Sequence, residues 1–129
     1  MSYTIRNLKE VEDAAPRFGL APNLEARFGR RALESEQLGV SYERLAPSFR
    51  TPFGHRHSEQ EEVYVVLSGG GRVKLDDEIV DVEQWDAVRV APGTMRNFEA
   101  GPDGLELLAI GAPATPDPDV EMVQGWWTD

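Results

Sequence analysis

The sequence predicts an all-β domain built on an antiparallel sheet, and three observations support this prediction. Seven short runs are rich in β-branched or aromatic residues and are bounded by Gly, Pro or Asp. They start only about 7 to 12 residues apart, which is too close for crossover helices between parallel strands. Along one run, 61–68, apolar side chains occupy both faces, which favours a sandwich or a closed barrel. The runs are 40–47, 61–68, 71–75, 78–82, 86–93, 96–100 and 105–111.

The chain reads in order as one domain with an N-terminal arm (1–37), a barrel core (38–111) and a proline-rich C-terminal tail (112–129). Within the arm, the segment "LEARFGRRALESEQ" (24–37) fits either a short helix or an outlying strand, and the sequence leaves both open.

Two connections inside the core have recognisable turn chemistry. Asp76 and Asp77 separate two alternating runs, which predicts a hairpin turn. Gly69, Gly70 and Gly71 also stand between two predicted strands. Because no helix and no Lys-Ser/Thr pair follows these glycines, we interpret them as a turn rather than a phosphate loop.

The tail cannot form a helix or a central strand, since it contains Pro113, Pro116 and Pro118. We therefore expect it to lie extended on the surface. The adjacent Trp126 and Trp127 would pin it to the body of the domain or to a second subunit, because two tryptophans are rarely left in a free tail.

Composition excludes several classes of function. The 129 residues include 23 Asp and Glu against 13 Lys and Arg, a net charge of -10 that repels nucleic acid. No apolar run approaches the roughly 20 residues that span a bilayer, and the N-terminus lacks the apolar region of a signal peptide. A cytoplasmic location is therefore expected. With no cysteine in the chain, a metal would have to be held by imidazole and carboxylate groups.

The two histidines of the chain form a candidate metal site with a nearby glutamate. His55 and His57 point to the same side of an extended segment, and Glu62 begins the next strand. Such a facial set of three ligands leaves open positions and suits iron(II), manganese, nickel or zinc. The alternative is that both histidines are solvent-facing or hydrogen-bonded at a turn.

The same stretch resembles the first motif of the cupins, G-x5-H-x-H-x3,4-E-x6-G. Here His55 and His57 are followed after four residues by Glu62 and, after six more, by Gly69. The leading glycine is displaced, with Gly54 nearby.

A second stretch, "WDAVRVAPGTMRNFEA" (85–100), resembles the second cupin motif, G-x5-P-x-G-x2-H-x3-N, in a degraded form. Gly93 keeps the turn, but Arg96 stands where the family has its last metal-binding histidine. Three further positions depart from the motif: Trp85 replaces the first glycine, Ala91 the proline and Ala100 the asparagine.

The resemblance covers residues 38–111 and implies a jelly-roll barrel, that is, an antiparallel double-stranded β-helix of the cupin type. It also implies a small-molecule ligand and a divalent metal held by His55, His57 and Glu62. Cupins of this size commonly pair, so we expect a homodimer, with the arm and the two tryptophans of the tail as candidate surface.

Arg96 is the most informative departure, because a guanidinium stays protonated and cannot ligate a metal. Three arrangements of Arg96 are open. It turns away and leaves a metal with three protein ligands, or it pairs with Glu62 and leaves no metal. In the third arrangement, it binds an anionic group of the ligand beside a metal. Arg96 and Tyr64, which shares the face of Glu62, are the candidate substrate-binding residues.

Three functions follow from these alternatives. The barrel is a metal-dependent enzyme such as a dioxygenase or an isomerase, a non-catalytic binding or sensing module for an anionic ligand, or a metal-free structural barrel. The fold does not select among them, because function depends on the site.

Overall fold

The structure is a computed structural model that describes residues 2–114 and 119–129. The arm contains two short 3-10 turns, Leu8–Glu10 and Ala15–Phe18, and both elements that the sequence left open. Strand β1 (Leu24–Phe28) is followed directly by the four-residue helix α1 (Arg30–Leu33). No helix in the described part of the chain is long and apolar enough to cross a membrane.

In the described ranges, eight antiparallel strands form the curled sheet of a jelly-roll barrel, which confirms the predicted fold class. The two longest strands, β4 and β7, lie at its centre and pair with each other. Strand β7 also pairs with β2 and β3, whereas β4 pairs with β5 and β6. After β1, the strands are β2 (Gly39–Leu45), β3 (Phe53–Arg56), β4 (Glu61–Leu75), β5 (Glu78–Glu83), β6 (Ala87–Val90), β7 (Arg96–Ala112) and β8 (Glu121–Gln124).

The glycine triplet is not a turn, contrary to the sequence prediction. Strand β4 continues through it, with breaks in register between Val66 and Ser68 and between Gly69 and Gly71. Gly69 adopts a left-handed φ of 73°, and a side chain at Gly71 would clash with the main-chain oxygen of Glu99. The glycines therefore allow a bulged strand to approach β7 closely. The turn predicted at Asp76 and Asp77 is present between β4 and β5.

The hydrophobic core lies on one face of β4, although the apolar side chains on both faces of run 61–68 predicted that both would be covered. Tyr64 and Val66 are 3% and 0% exposed, whereas Val63, Val65 and Leu67 are only half-buried. The inward side chains pack against Phe98, Leu105 and Leu107 of β7. Beyond Tyr64, towards the start of β4, this packed interior gives way to a cavity.

The tail is held against the barrel by its tryptophans and by a short strand. Strand β8 pairs with β3 at an edge of the sheet. The indole nitrogen of Trp127 donates to the main-chain oxygen of Thr51 at 2.7 Å, and the Lys74 ammonium lies 3.9 Å from the centre of the Trp126 ring. Of the two predicted anchoring surfaces, these contacts use the body of the domain. Pro116 and Pro118 lie outside the described residues.

Candidate metal centre and cavity

A cavity of about 710 Å³ opens between the arm, the barrel strands and the tail. Most of its wall is apolar, with contributions from Leu20, Phe53, Ala109 and Met122. The polar groups of the first cupin-like motif lie together on this wall. This combination of a mainly apolar surface and a few convergent polar groups is typical of small-molecule sites.

The strands bring the three predicted ligands together. His55 lies on β3, opposite Arg96 of β7 and Met122 of β8. His57 follows directly after β3, and Glu62 lies near the start of β4. One ligand atom from each of His55, His57 and Glu62 lies within 4.8 Å of the other two, and no metal-type cluster of three or more such residues occurs elsewhere among the described residues.

A main-chain contact fixes the tautomer of His57. Its Nδ1 lies 2.8 Å from the carbonyl oxygen of Asp119, just before β8. Because that oxygen can only accept, Nδ1 carries the proton, and in the neutral imidazole the lone pair is on Nε2. Nε2 of His57 lies 4.0 Å from Oε1 of Glu62. The ring nitrogen that can bind a metal is therefore the one that faces the carboxylate.

His55 is held neutral by its surroundings. Burial first, and then the positive charge of Arg96, lower its pKa to about 4. Its Nε2 lies 3.3 Å from the hydroxyl oxygen of Tyr64. Its buried Nδ1 has no hydrogen-bond partner within the described ranges of the chain. A neutral imidazole with an unsatisfied nitrogen is the form that binds a metal.

Arg96 faces the barrel interior and is completely buried, with 0% exposure. Its Nη2 donates to Oε1 of Glu62 at 2.7 Å, its Nε to the hydroxyl of Tyr64 at 3.2 Å and its Nη1 to the carbonyl of Thr94 at 3.0 Å. The sequence left three arrangements of Arg96 open. The structure contains the one in which Arg96 forms an ion pair with Glu62. All three guanidinium nitrogens are engaged by the protein.

Tyr64 links the histidine side of the site to the arginine side. Its hydroxyl donates to Oε1 of Glu62 and accepts from Arg96. Burial, followed by the nearby Glu62 carboxylate, raises the Tyr64 pKa well above its ordinary value, so the phenol stays protonated. Burial also favours the neutral form of Glu62, but the hydrogen bonds from Tyr64 and Arg96 outweigh it and lower the Glu62 pKa.

These protonation states fit a divalent metal. Two imidazoles with free lone pairs and one ionised carboxylate are the donor set that the sequence predicted. Oε1 of Glu62 is occupied by Tyr64 and Arg96, whereas Oε2 accepts no hydrogen bond from any residue in the described part. Hydrogen bonding to one carboxylate oxygen commonly orients a metal-binding carboxylate. The charge of Arg96 opposes the cation, since unit charges about 4 Å apart repel by about 4 kcal/mol at an effective dielectric of 20.

Sequence reasoning missed three groups of the cavity: Arg30 of α1, Glu43 of β2 and the carbonyl of Asp119. The alternation of β2 could have revealed Glu43, because it points to the same side as the core residue Leu45. Burial, then repulsion from Glu62, raises the Glu43 pKa to about 7. The Asp119 contact leaves no signal in the side-chain pattern, because a main-chain atom makes it.

A jelly-roll barrel with a cluster of two histidines and one glutamate is typical of the cupins, and comparison with known sequences supports this class. The family model described as "Cupin domain" matches residues 41–111. The chain belongs to the cupin family. An uncharacterized protein of Methanocaldococcus jannaschii is 31% identical over 71 residues, which make up 54% of this chain and 57% of that protein.

Solved structures share the fold at low sequence identity. A cupin protein from Bacteroides fragilis is 24% identical, with a TM-score of 0.72 over 91% of this chain and 89% of that one. A variant of Streptomyces Pac13 with uridine is 18% identical, with a TM-score of 0.78 over 98% and 95%; Pac13 is described as a nucleoside dehydratase. A variant of Bacillus subtilis oxalate decarboxylase is 23% identical, with a TM-score of 0.73 over 92% and 33%.

Proposed function

We propose that this cupin binds a small molecule in its cavity, next to a divalent metal held by His55, His57 and Glu62. The observation that carries the proposal is the convergence of these ligand atoms to within 4.8 Å on the wall of the 710 Å³ cavity. The protonation states support it, since the pKa of His55 is lowered to about 4 and that of Glu62 is also lowered. The cavity volume matches that of pockets for small ligands, about 300 to 1,000 Å³.

A metal in this position would have iron, manganese, nickel and zinc as candidates, because all four accept imidazole and carboxylate ligands. With three protein ligands, it would leave open coordination positions for water or ligand oxygen and would act as a Lewis acid. The residues of the chain have separate tasks. Asp119 orients His57, while Tyr64 and Arg96 orient Glu62 through hydrogen bonds to its Oε1.

Elemental analysis of protein purified without a histidine tag tests the proposal. We expect about one metal per chain after reconstitution with each of the four ions in turn. Glu62→Gln should lose the metal, because an amide is a much poorer ligand than a carboxylate. Glu61→Gln is the matched control, since Glu61 is 55% exposed and pairs with Arg89 on the surface. A wild-type chain that takes up none of the four ions would contradict the metal site.

A second candidate is a metal-free binding barrel, and the Arg96–Glu62 ion pair favours it. This pair satisfies the Glu62 charge without a cation. It predicts that ligand binding survives dialysis against a chelator, and that the wild-type melting temperature does not change when metal is added. A metal-dependent shift in melting temperature that disappears in His57→Ala would contradict this candidate.

A further inference from the structure

We propose that Arg30 binds the carboxylate or phosphate of a small organic anion, whose apolar part packs against Phe18 and Phe28 at the mouth of the cavity. This inference deepens the proposed function, because it rests on a small molecule occupying the cavity. It does not require the metal. It also moves the role of anion binding away from Arg96, whose guanidinium already donates to three protein oxygens.

Arg30 is exceptional among the arginines of this acidic chain. The sequence has eleven arginines, and eight of them make ion pairs within the described residues. Of the other three, Arg6 and Arg31 are exposed to solvent, whereas Arg30 is half-buried in the cavity wall. Its Nε is buried and has no hydrogen-bond partner in the described part of the chain. Because no acid in the described residues pairs with Arg30, its guanidinium charge is available to an anion in the cavity.

The local fold keeps Arg30 at the cavity. Gly29, the residue before it, donates its main-chain N–H to the carbonyl of Val40 at 2.8 Å, which holds the start of α1 against β2. A side chain at position 29 would lie 2.7 Å from Cδ2 of Leu8, so the glycine permits this close approach. Arg30 therefore starts from an anchored main chain, and less ordering entropy is lost when a ligand binds.

None of the acids of the cavity wall in the described residues forms an ion pair with Arg30. The Glu62 carboxylate is paired with Arg96. The Asp119 carboxylate accepts from the main-chain N–H groups of Ser58 and Glu59. Burial, then the charge of Glu62, raises the Glu43 pKa to about 7, so this carboxyl is less negative at neutral pH than an ordinary glutamate.

The mouth of the cavity supplies an apolar surface beside this cation. Phe18 and Phe28 line the cavity, yet they are 65% and 53% exposed. A ligand with an apolar body would cover both rings while its anionic group reaches the guanidinium. Planar bidentate contact with a carboxylate or a phosphate is the interaction that arginine makes best.

Titration calorimetry with heptanoate, hexyl phosphate and hexanol tests the inference, because the three probes share one hexyl chain. The titrations use the full chain without a tag, both as purified and after a chelator, so that direct binding of the anion to a metal is separated from binding to Arg30. On the chelated wild-type chain, we expect at least one anion to bind about tenfold or more tightly than hexanol. The better anion identifies the carboxylate or the phosphate as the preferred group.

Two variants locate the effect. Arg30→Gln should abolish the preference for the anion, whereas Arg31→Gln, which removes the same charge from the exposed neighbouring position, should keep it. Equal loss in both variants would show a general surface charge effect and overturn the inference. So would hexanol binding the wild-type chain as tightly as both anions, although small-molecule binding itself would then stand. If none of the three probes binds, both the inference and the proposed occupancy of the cavity fail. Even if Arg30→Gln does not fold, a wild-type chain that shows no preference for either anion would overturn the inference.

Discussion

Replacing Arg96 by alanine should strongly destabilise the barrel. Arg96 is 0% exposed and the Glu62 side chain only 13%, so the substitution leaves a buried carboxylate without its cation. It also removes the donors to Tyr64 and Thr94. Breaking a buried ion pair by removing one partner costs about 3 to 5 kcal/mol. For a chain of this length, that corresponds to a fall in melting temperature of about 10 to 20 °C.

The chain contains a matched control for this substitution. Arg89 pairs with Glu61, the neighbour of Glu62, but their side chains are 65% and 55% exposed. Arg89→Ala should therefore cost less than about 1 kcal/mol. Urea denaturation at neutral pH, followed by circular dichroism in the presence of a chelator, measures both free energies of unfolding. If Arg96→Ala is no more destabilising than Arg89→Ala, the buried ion pair has no structural role and the reasoning is wrong.

A second test of the ion pair removes both charges. The double variant Glu62→Gln with Arg96→Met keeps similar side-chain volumes and leaves no isolated charge in the interior. It should recover most of the stability lost in Arg96→Ala, because well-packed neutral side chains commonly replace a buried ion pair at little cost. A double variant as unstable as Arg96→Ala would instead assign the loss to packing.

Three further substitutions have directional outcomes. Arg96→His should tighten metal binding about tenfold or more in a chelator competition, since it removes a positive charge and adds an imidazole; unchanged affinity would contradict the geometry. Burial raises the Glu25 pKa, but hydrogen bonds from Lys9, Arg27 and Arg44 lower it to about 2. Its stabilisation is therefore present above about pH 4.5 and lost towards pH 2, so Glu25→Gln should cost up to ~3 kcal/mol at neutral pH and little near pH 2 in urea titrations. Because the Glu43 pKa is raised to about 7, ionisation of this carboxyl lowers the free energy of unfolding as pH rises. Glu43→Gln should therefore increase the free energy of unfolding by about 1 to 3 kcal/mol at about pH 8 and hardly change it near pH 4. A gain that is independent of pH would exclude ionisation as its cause.

The sequence was sufficient to predict the barrel because two independent signals agreed. The strand-like runs identified β2, β5 and β6 and divided β4 and β7 into two runs each, while β3 and β8 were missed. The spacing of His55, His57 and Glu62 identified the family. Alternation could not show whether a strand continues through a run of glycines, because such a run is equally compatible with a turn and with a bulge. The difference at Gly71 lies in its close approach to the main chain of Glu99, and that contact exists only after β4 and β7 have paired.

The candidate site was predictable to the extent that it depends on side chains near each other in sequence. The motif position of Arg96 allowed a partnership with Glu62 among other arrangements, and the packing of β4 against β7 selects it. The Asp119 carbonyl, 62 residues from His57, could not be found from residue types. The backbone conformation at Trp85 explains why the motif has a glycine at this position. Trp85 has a left-handed φ of 73°, which glycine adopts more easily. The homodimer and the cytoplasmic location stay predictions.

The pairing of β2 with β7 has a consequence for the speed of folding. Leu45 pairs with Leu105 and Gly39 with Gly111, so the two strands are separated by most of the barrel sequence. During synthesis, β2 emerges well before its partner strand β7, and the main-chain groups on that edge of β2 stay unpaired until β7 is made. Barrels dominated by such distant contacts fold in milliseconds to seconds. We therefore expect the yield of native protein to depend on chaperones and expression temperature more strongly than its final stability suggests.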